Sequence, residues 1–188
     1  MFRLIKNSDD INPDKNKNNK DNSNIKSNLN NQKDDEYTYA SMRKLAFTIK
    51  PEDMDIKIGN AYQVYGAVVD MGVDTNKIAT MICFIDGTTS LYFSEGGGII
   101  GAGRHESVKN AASTFLENCF SVLPVTENAD SIDKLPAENQ HTFYLFTKAG
   151  IFTITIKLHD VKKCKEYQSL FSHSQIVLNE IRKISKKD

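Results

Sequence analysis

The sequence predicts an α+β domain: a five-stranded, mostly antiparallel sheet in the order βββαββα, with its helices on one face and an optional extra helix at the N-terminal end. Three observations carry this expectation. Asp86-Gly87 falls between two strand patterns, the strongest short-range hairpin signal in the chain. An apolar run at 141–147 and an alternating run at 151–158 are separated only by Lys148-Ala149-Gly150, and strands joined by so short a turn must run antiparallel. Apolar side chains recur at helical spacing from Val108 and again from Cys164, as they do in helices that lay one face on a sheet. The repeated strand-helix-strand alternation of a doubly wound parallel sheet is missing.

The elements follow in order. Tyr39, Met42, Leu45 and Ala46 recur at helical spacing, which gives the optional helix over 39–47, ended by Lys50-Pro51. Residues 61–71 form the first strand, with Val64, Gly66 and Val68 on one face and Tyr65, Ala67 and Val69 on the other. Apolar residues on both sides place it centrally. Residues 77–85 are rich in β-branched and apolar side chains and make the second strand, and the turn after it takes Asp86 and Gly87 as the central pair of a type I′ hairpin. The third strand sets Thr89, Leu91 and Phe93 against Ser90, Tyr92 and Ser94, which predicts one buried and one outward face.

Beyond it, Val108, Ala111, Ala112, Phe115, Leu116, Cys119, Val122 and Leu123 form one stripe of a helix that Pro124 stops. Residues 125–140 carry Pro136 with acidic and amide side chains and read as a loop. In the last strand Phe152, Ile154, Ile156 and Leu158 point inward and Thr153, Thr155 and Lys157 outward. Asp160 is the expected N-cap of a final helix whose stripe runs from Cys164 to Ile184.

In the first 36 of the 188 residues, Lys6 to Glu36 are Asn, Lys and Asp rich and almost free of large apolar side chains. Such a segment cannot bury enough surface to offset its ordering entropy, so a disordered tail is expected there, with a single α+β domain over 37–188. The 24 basic and 24 acidic residues cancel, leaving no overall basic excess to release counterions from nucleic acid. Arg182, Lys183, Lys186 and Lys187 cluster at the end of the last helix, where cations complement the dipole. Cys83, Cys119 and Cys164 show no paired metal or redox spacing. The apolar start at 1–5 is too short for a signal peptide, and no later run reaches membrane length. The expected protein is cytoplasmic, with no membrane partner.

The candidate site is the glycine run: Gly96, Gly97, Gly98, Gly101 and Gly103, followed by Arg104 and His105. Gly96, Gly98 and Gly101 match the dinucleotide fingerprint in form, but helical periodicity starts only near Ser107 and no Gly-Lys-Ser or Gly-Lys-Thr ending follows. No cofactor is expected. Glycines here let the backbone turn or pass close to a neighbour. A second reading makes the run, with Arg104 and His105 at a helix N-terminus, an anion or small-ligand pocket.

Catalysis has less to stand on. His105 beside Glu106 could work as an acid-base pair, yet adjacent residues at a helix start diverge, and a glutamate in the first turn is ordinary dipole complementarity. His141, His159 and His173 lack metal-ligand spacing. Ser94 and Ser113 lack a nucleophile elbow. Asp70, Asp74 and Asp86 are expected at strand ends and turns. The sequence therefore points first to a non-catalytic interaction or regulatory module, pairing with a protein partner or a second copy through a sheet edge. Next comes a small-ligand or anion sensor using the glycine run, and last a small enzyme using His105.

Overall fold

The structure, a computed structural model, describes residues 38–186. The polar tail and its expected boundary lie outside the described residues. Among the described residues three helices, α1 (Tyr39–Ala46), α2 (Glu106–Val122) and α3 (Lys165–Ile184), accompany seven strands: β1 (Gly66–Asp74), β2 (Lys77–Phe84), β3 (Thr89–Phe93), β4 (Gly98–Ile99), β5 (Glu127–Asn128), β6 (Gln140–Thr147) and β7 (Gly150–Lys157). The α+β class and the antiparallel sheet stand; the count of five strands does not. All seven lie in one sheet in the order β4-β3-β2-β1-β6-β7-β5. The two extra strands, β4 inside the glycine run and β5 inside the expected loop, have two residues each. A strand so short cannot display an alternation of period two.

The ladder explains which residues sit at the centre. Met71 pairs with Ala79 on one side and His141 on the other, and Gly66 likewise with Phe84 and Phe146. β1 is thus flanked on both edges and buried on both faces, as its unbroken apolar run requires. It starts five residues later than expected. Val64, ahead of the strand, joins Ala67 and Val69 rather than Val68, whose cluster contains Tyr65. The alternation slips where Gly66 crosses the Phe84 ring, with no room there for a Cβ. The β2–β3 connection also differs. Of Asp86 and Gly87 only Gly87 has positive φ, and Gly87 N–H donates to Phe84 O. Phe84 N–H then reaches Thr88 O, so the loop holds three residues, a turn closed by a left-handed glycine rather than type I′.

From β4 the chain enters α2 and emerges into β5 at the opposite edge of the sheet. The 17 residues of α2 give a length of about 26 Å, comparable with the ~29 Å width of seven strands. α2 and α3 lie side by side on this face. Val108, Phe115, Leu116, Cys119, Leu170, Val177, Leu178 and Ile181 meet Val69, Met81, Cys83, Phe143, Leu145 and Ile156 in one core. The two predicted stripes are those that are buried. α3 begins at Lys165, after a 3-10 stretch Leu158–Lys163, with Cys164 and not Asp160 at its N-cap. Asp160 instead binds Lys163 Nζ at 2.9 Å, and that ammonium holds its carboxyl below the ordinary value. Leu158, expected inward, is exposed because the strand has already ended.

The helices do not all gather on one face. α1, capped by Thr38, whose Oγ1 accepts from Ser41 N, belongs to a second core on the opposite side with Tyr65, Val68, Ile82, Phe84, Tyr92, Tyr144 and Phe146. Phe47, Ile49, Met54, Ile56, Ala129 and Ile132 complete its cover. Both faces of β3 are consequently covered: Leu91 enters the first core and Tyr92 the second, while Ser90 is 4% exposed. No described helix is long and apolar enough to cross a membrane.

Candidate functional site

The glycine run resolves into a hairpin turn, a strand and a tight strap. Gly96 N–H donates to Phe93 O and Phe93 N–H to Gly97 O, closing the turn from β3 into β4. Gly96 and Gly97 have φ of +100° and +78°, with open space where a Cβ would stand; the backbone, not crowding, asks for glycine there. Gly98 and Ile99 then pair with Tyr92 and Leu91. Gly101 N–H donates to Ser90 Oγ at 3.2 Å. Ala102–Arg104 forms a single 3-10 turn in which Ala102 is buried and a Cβ on Gly103 would overlap the carbonyl oxygen of Gly87. The strap therefore runs directly against the β2–β3 hairpin, glycine to glycine.

Helix α2 starts at Glu106, one residue before the sequence-based start and well past the glycines. The amides of Gly96, Gly101, Arg104 and His105 are all bonded internally, Arg104 to Gly101 O and His105 to Ala102 O. His105 is the extended N-cap residue; its carbonyl accepts from Val108 and Lys109 and its ring gives no capping bond. Arg104 and His105 are exposed and make no side-chain hydrogen bond or ion pair with the described residues. The Arg104 guanidinium lies back over Gly101. What this corner offers a ligand is thus two exposed side chains at the start of α2. Two surface grooves, of about 290 and 560 Å³, are lined by other residues.

The other chemistry-bearing residues are dispersed. Among the described residues no three His, Cys, Asp or Glu side chains converge as a metal would need. Burial pushes the Cys83 thiol up to about 12, against a smaller lowering by the Thr89 hydroxyl, and raises Cys119 well above its usual value. A thiol so placed is inert at neutral pH. Tyr92 is buried in the second core.

A polar cluster that the sequence reading passed over lies beneath α1. Asp70, expected at a strand end, sits inside β1 with no exposure. Arg43 Nε reaches both its oxygens at 3.1 and 3.0 Å and Nη2 reaches Oδ2 at 2.5 Å. Thr80 Oγ1 donates to Asp70 Oδ1 at 2.6 Å and lies 2.8 Å from Tyr39 Oη. The guanidinium also lies 5.0 Å from the Phe47 ring centre and 5.7 Å from that of Tyr144. Burial alone would lower the Arg43 pKa, but the Asp70 carboxylate outweighs it and leaves the pKa raised. The signal was present: a lone acid in an apolar strand core must find a partner. That partner, 27 residues upstream, was beyond the reach of local pattern. In comparison with known proteins, no family model, no curated protein and no solved structure matches the chain.

Proposed function

We propose that the chain is a non-catalytic interaction module that receives an extended strand of a protein partner, a second copy included, along the outer edge of β7. The supporting observation is the shortness of β5, which pairs with β7 only at Thr153 and Phe152. Ile151 O accepts from Ala129 N on that outer side, and outward positions alternate along a strand. Thr155 and Lys157 are therefore the next residues to aim their peptide groups away from β6, and both are exposed. Their neighbours Ile154 and Ile156 are anchored in the first core, so the edge is held rigid for β-augmentation. Lys157 discourages indiscriminate pairing and favours a strand with Asp or Glu opposite. The dispersed histidines and the buried thiols favour binding over catalysis.

The test is light scattering after size-exclusion chromatography across a concentration series, with hydrogen exchange on the same samples. A concentration-dependent dimer is expected, with Thr155 and Lys157 amides protected in it. Thr155→Pro removes the outward N–H together with the hydroxyl that lies 2.9 Å from Thr142 Oγ1, and should return it to monomer with its circular dichroism unchanged. Thr155→Val, which removes that hydroxyl alone, should leave the dimer intact. A monomer at every concentration removes self-pairing. Slow exchange at both amides in that monomer removes the open edge altogether.

A further inference from the structure

We propose that the groove between residues 60–64 and the outward side of α2 binds a small primary amine that carries a neutral carbonyl oxygen and an apolar body, the chemistry of an amino-acid amide. The groove holds about 290 Å³ and is lined by Asn60, Gln63, Val64, Ile85, Ser113, Leu116, Glu117 and Phe120. At ~30 Å³ for each water that is space for roughly ten non-hydrogen atoms, the small end of ligand pockets.

Each part of the ligand follows from what the lining leaves unmet. Val64 and Leu116 are buried at its floor, while the Phe120 ring is 52% exposed on its wall, an apolar surface that an apolar body would cover. Charge sets the second part. No Lys, Arg or His lines the groove, and Glu117 has no ion-pair partner among the described residues, its one bond being from Ser113 Oγ at 3.2 Å. A cation is the complement. The amides set the third part. Asn60 Oδ1 accepts from Tyr62 N at 2.9 Å and Gln63 Oε1 from Gly59 N at 3.3 Å. Because both donors are backbone N–H groups, the oxygens are fixed toward the loop and the two NH₂ groups are left as donors. They call for an acceptor oxygen.

Leucinamide contains all three parts, and 4-methylpentanamide is the same skeleton without the amine. Titration of the full chain at about pH 7, where an α-ammonium predominates, is followed by amide resonances. Leucinamide should shift Gln63, Leu116, Glu117 and Phe120 saturably and bind about fivefold more tightly than 4-methylpentanamide, the size of one partly exposed ion pair. Glu117→Gln should abolish that preference and leave the rest of the spectrum unchanged, and Phe120→Ala should weaken both ligands. Equal affinity of the wild type for the two compounds overturns the proposal. So does a preference that survives Glu117→Gln, or the lack of any saturable shift at the groove. None of these outcomes bears on Thr155 or the β7 edge.

Discussion

The two faces of the sheet are built from alternate residues of the same strands, yet they are closed in different ways. On the first, α2 and α3 deliver a mostly aliphatic surface around Val69, Met81, Phe143 and Leu145. A helix satisfies its own backbone, so it needs no polar anchor to lie on apolar strands. Even the buried Ser174 bonds within its own helix, to Phe171 O at 2.8 Å. The second face is covered by eight residues of α1 and by irregular chain. There the filling is aromatic, with Phe47 edge-on to Tyr144 at 5.1 Å and Phe146 near Phe47, Tyr65 and Phe84, and the Arg43–Asp70 pair pins the helix to β1. Irregular cover has few regular contacts to fix its register; directional bonds supply it.

The largest expected effect tests that contrast. Asp70→Ala leaves the Arg43 guanidinium buried without a carboxylate, and removing one partner of a buried pair costs about 3–5 kcal/mol. Replacing both, as Arg43→Met with Asp70→Val, should recover most of that loss, since the pair's attraction is set against its desolvation. Chemical denaturation of the two single variants and the double variant measures the coupling. If the singles cost no more than surface changes, α1 is held by its apolar side chains alone, and the two faces are closed by the same means.

The first face also buries a titratable ring, and it makes the next prediction. His141 is 7% exposed, its ring lies 5.3 Å from that of Phe171 and 6.2 Å from that of Phe143, and Nδ1 has no hydrogen-bond partner. Burial lowers its pKa to about 4. In the unfolded chain it titrates near the ordinary histidine value of about 6.5, so between the two values the unfolded state binds the extra proton. The contribution is complete above about pH 6.5 and falls away as the pH drops toward 4, by on the order of 3 kcal/mol in all. His141→Phe should flatten this window, measured as unfolding free energy against pH. A wild-type curve with no slope there would mean that the ring is reached by water, and that this face is not sealed at its β6 end.

The same contrast decides what could be read in the sequence. Phe115, Cys119, Val177 and Ile181 lie on stripes of period 3.6, and both helices of the first face were found by that period. β1 and β2 were found because Val68, Val69, Met81 and Ile82 leave no polar side. Of the second face only α1 was legible, from the helical spacing of Tyr39, Met42 and Ala46. Ala46, Ile58 and Ile132 approach it from three separate segments, and no local period links them. In the glycine run, the turn that Gly96 and Gly97 close follows from backbone hydrogen bonds to Phe93. β4 within it stayed hidden, because Gly98 and Ile99 are two residues whose pairing is set by β3. Asp70 was misplaced because turn chemistry and a buried ion pair use the same residue type, and only tertiary structure tells them apart.

The smallest pair of effects lies in that run, where the chain leaves the β4 edge for the helical face. Gly103 and Gly96 are both glycines, but for different reasons: Gly103 presses on the Gly87 carbonyl, whereas Gly96 has space around it and a φ of +100°. Gly103→Ala must displace the strap or the β2–β3 hairpin and should cost about 2–3 kcal/mol, as overpacking against backbone does. Gly96→Ala suffers only the left-handed backbone, about 1–2 kcal/mol. Amide exchange at Gly87 and Thr89 separates the two, since only the first substitution reaches that hairpin. Because Ala102 is buried in the first core beside this contact, faster exchange there in Gly103→Ala would show that the strap's fit against the hairpin, and not the turn at Gly96 and Gly97, sets where α2 begins its passage across the sheet.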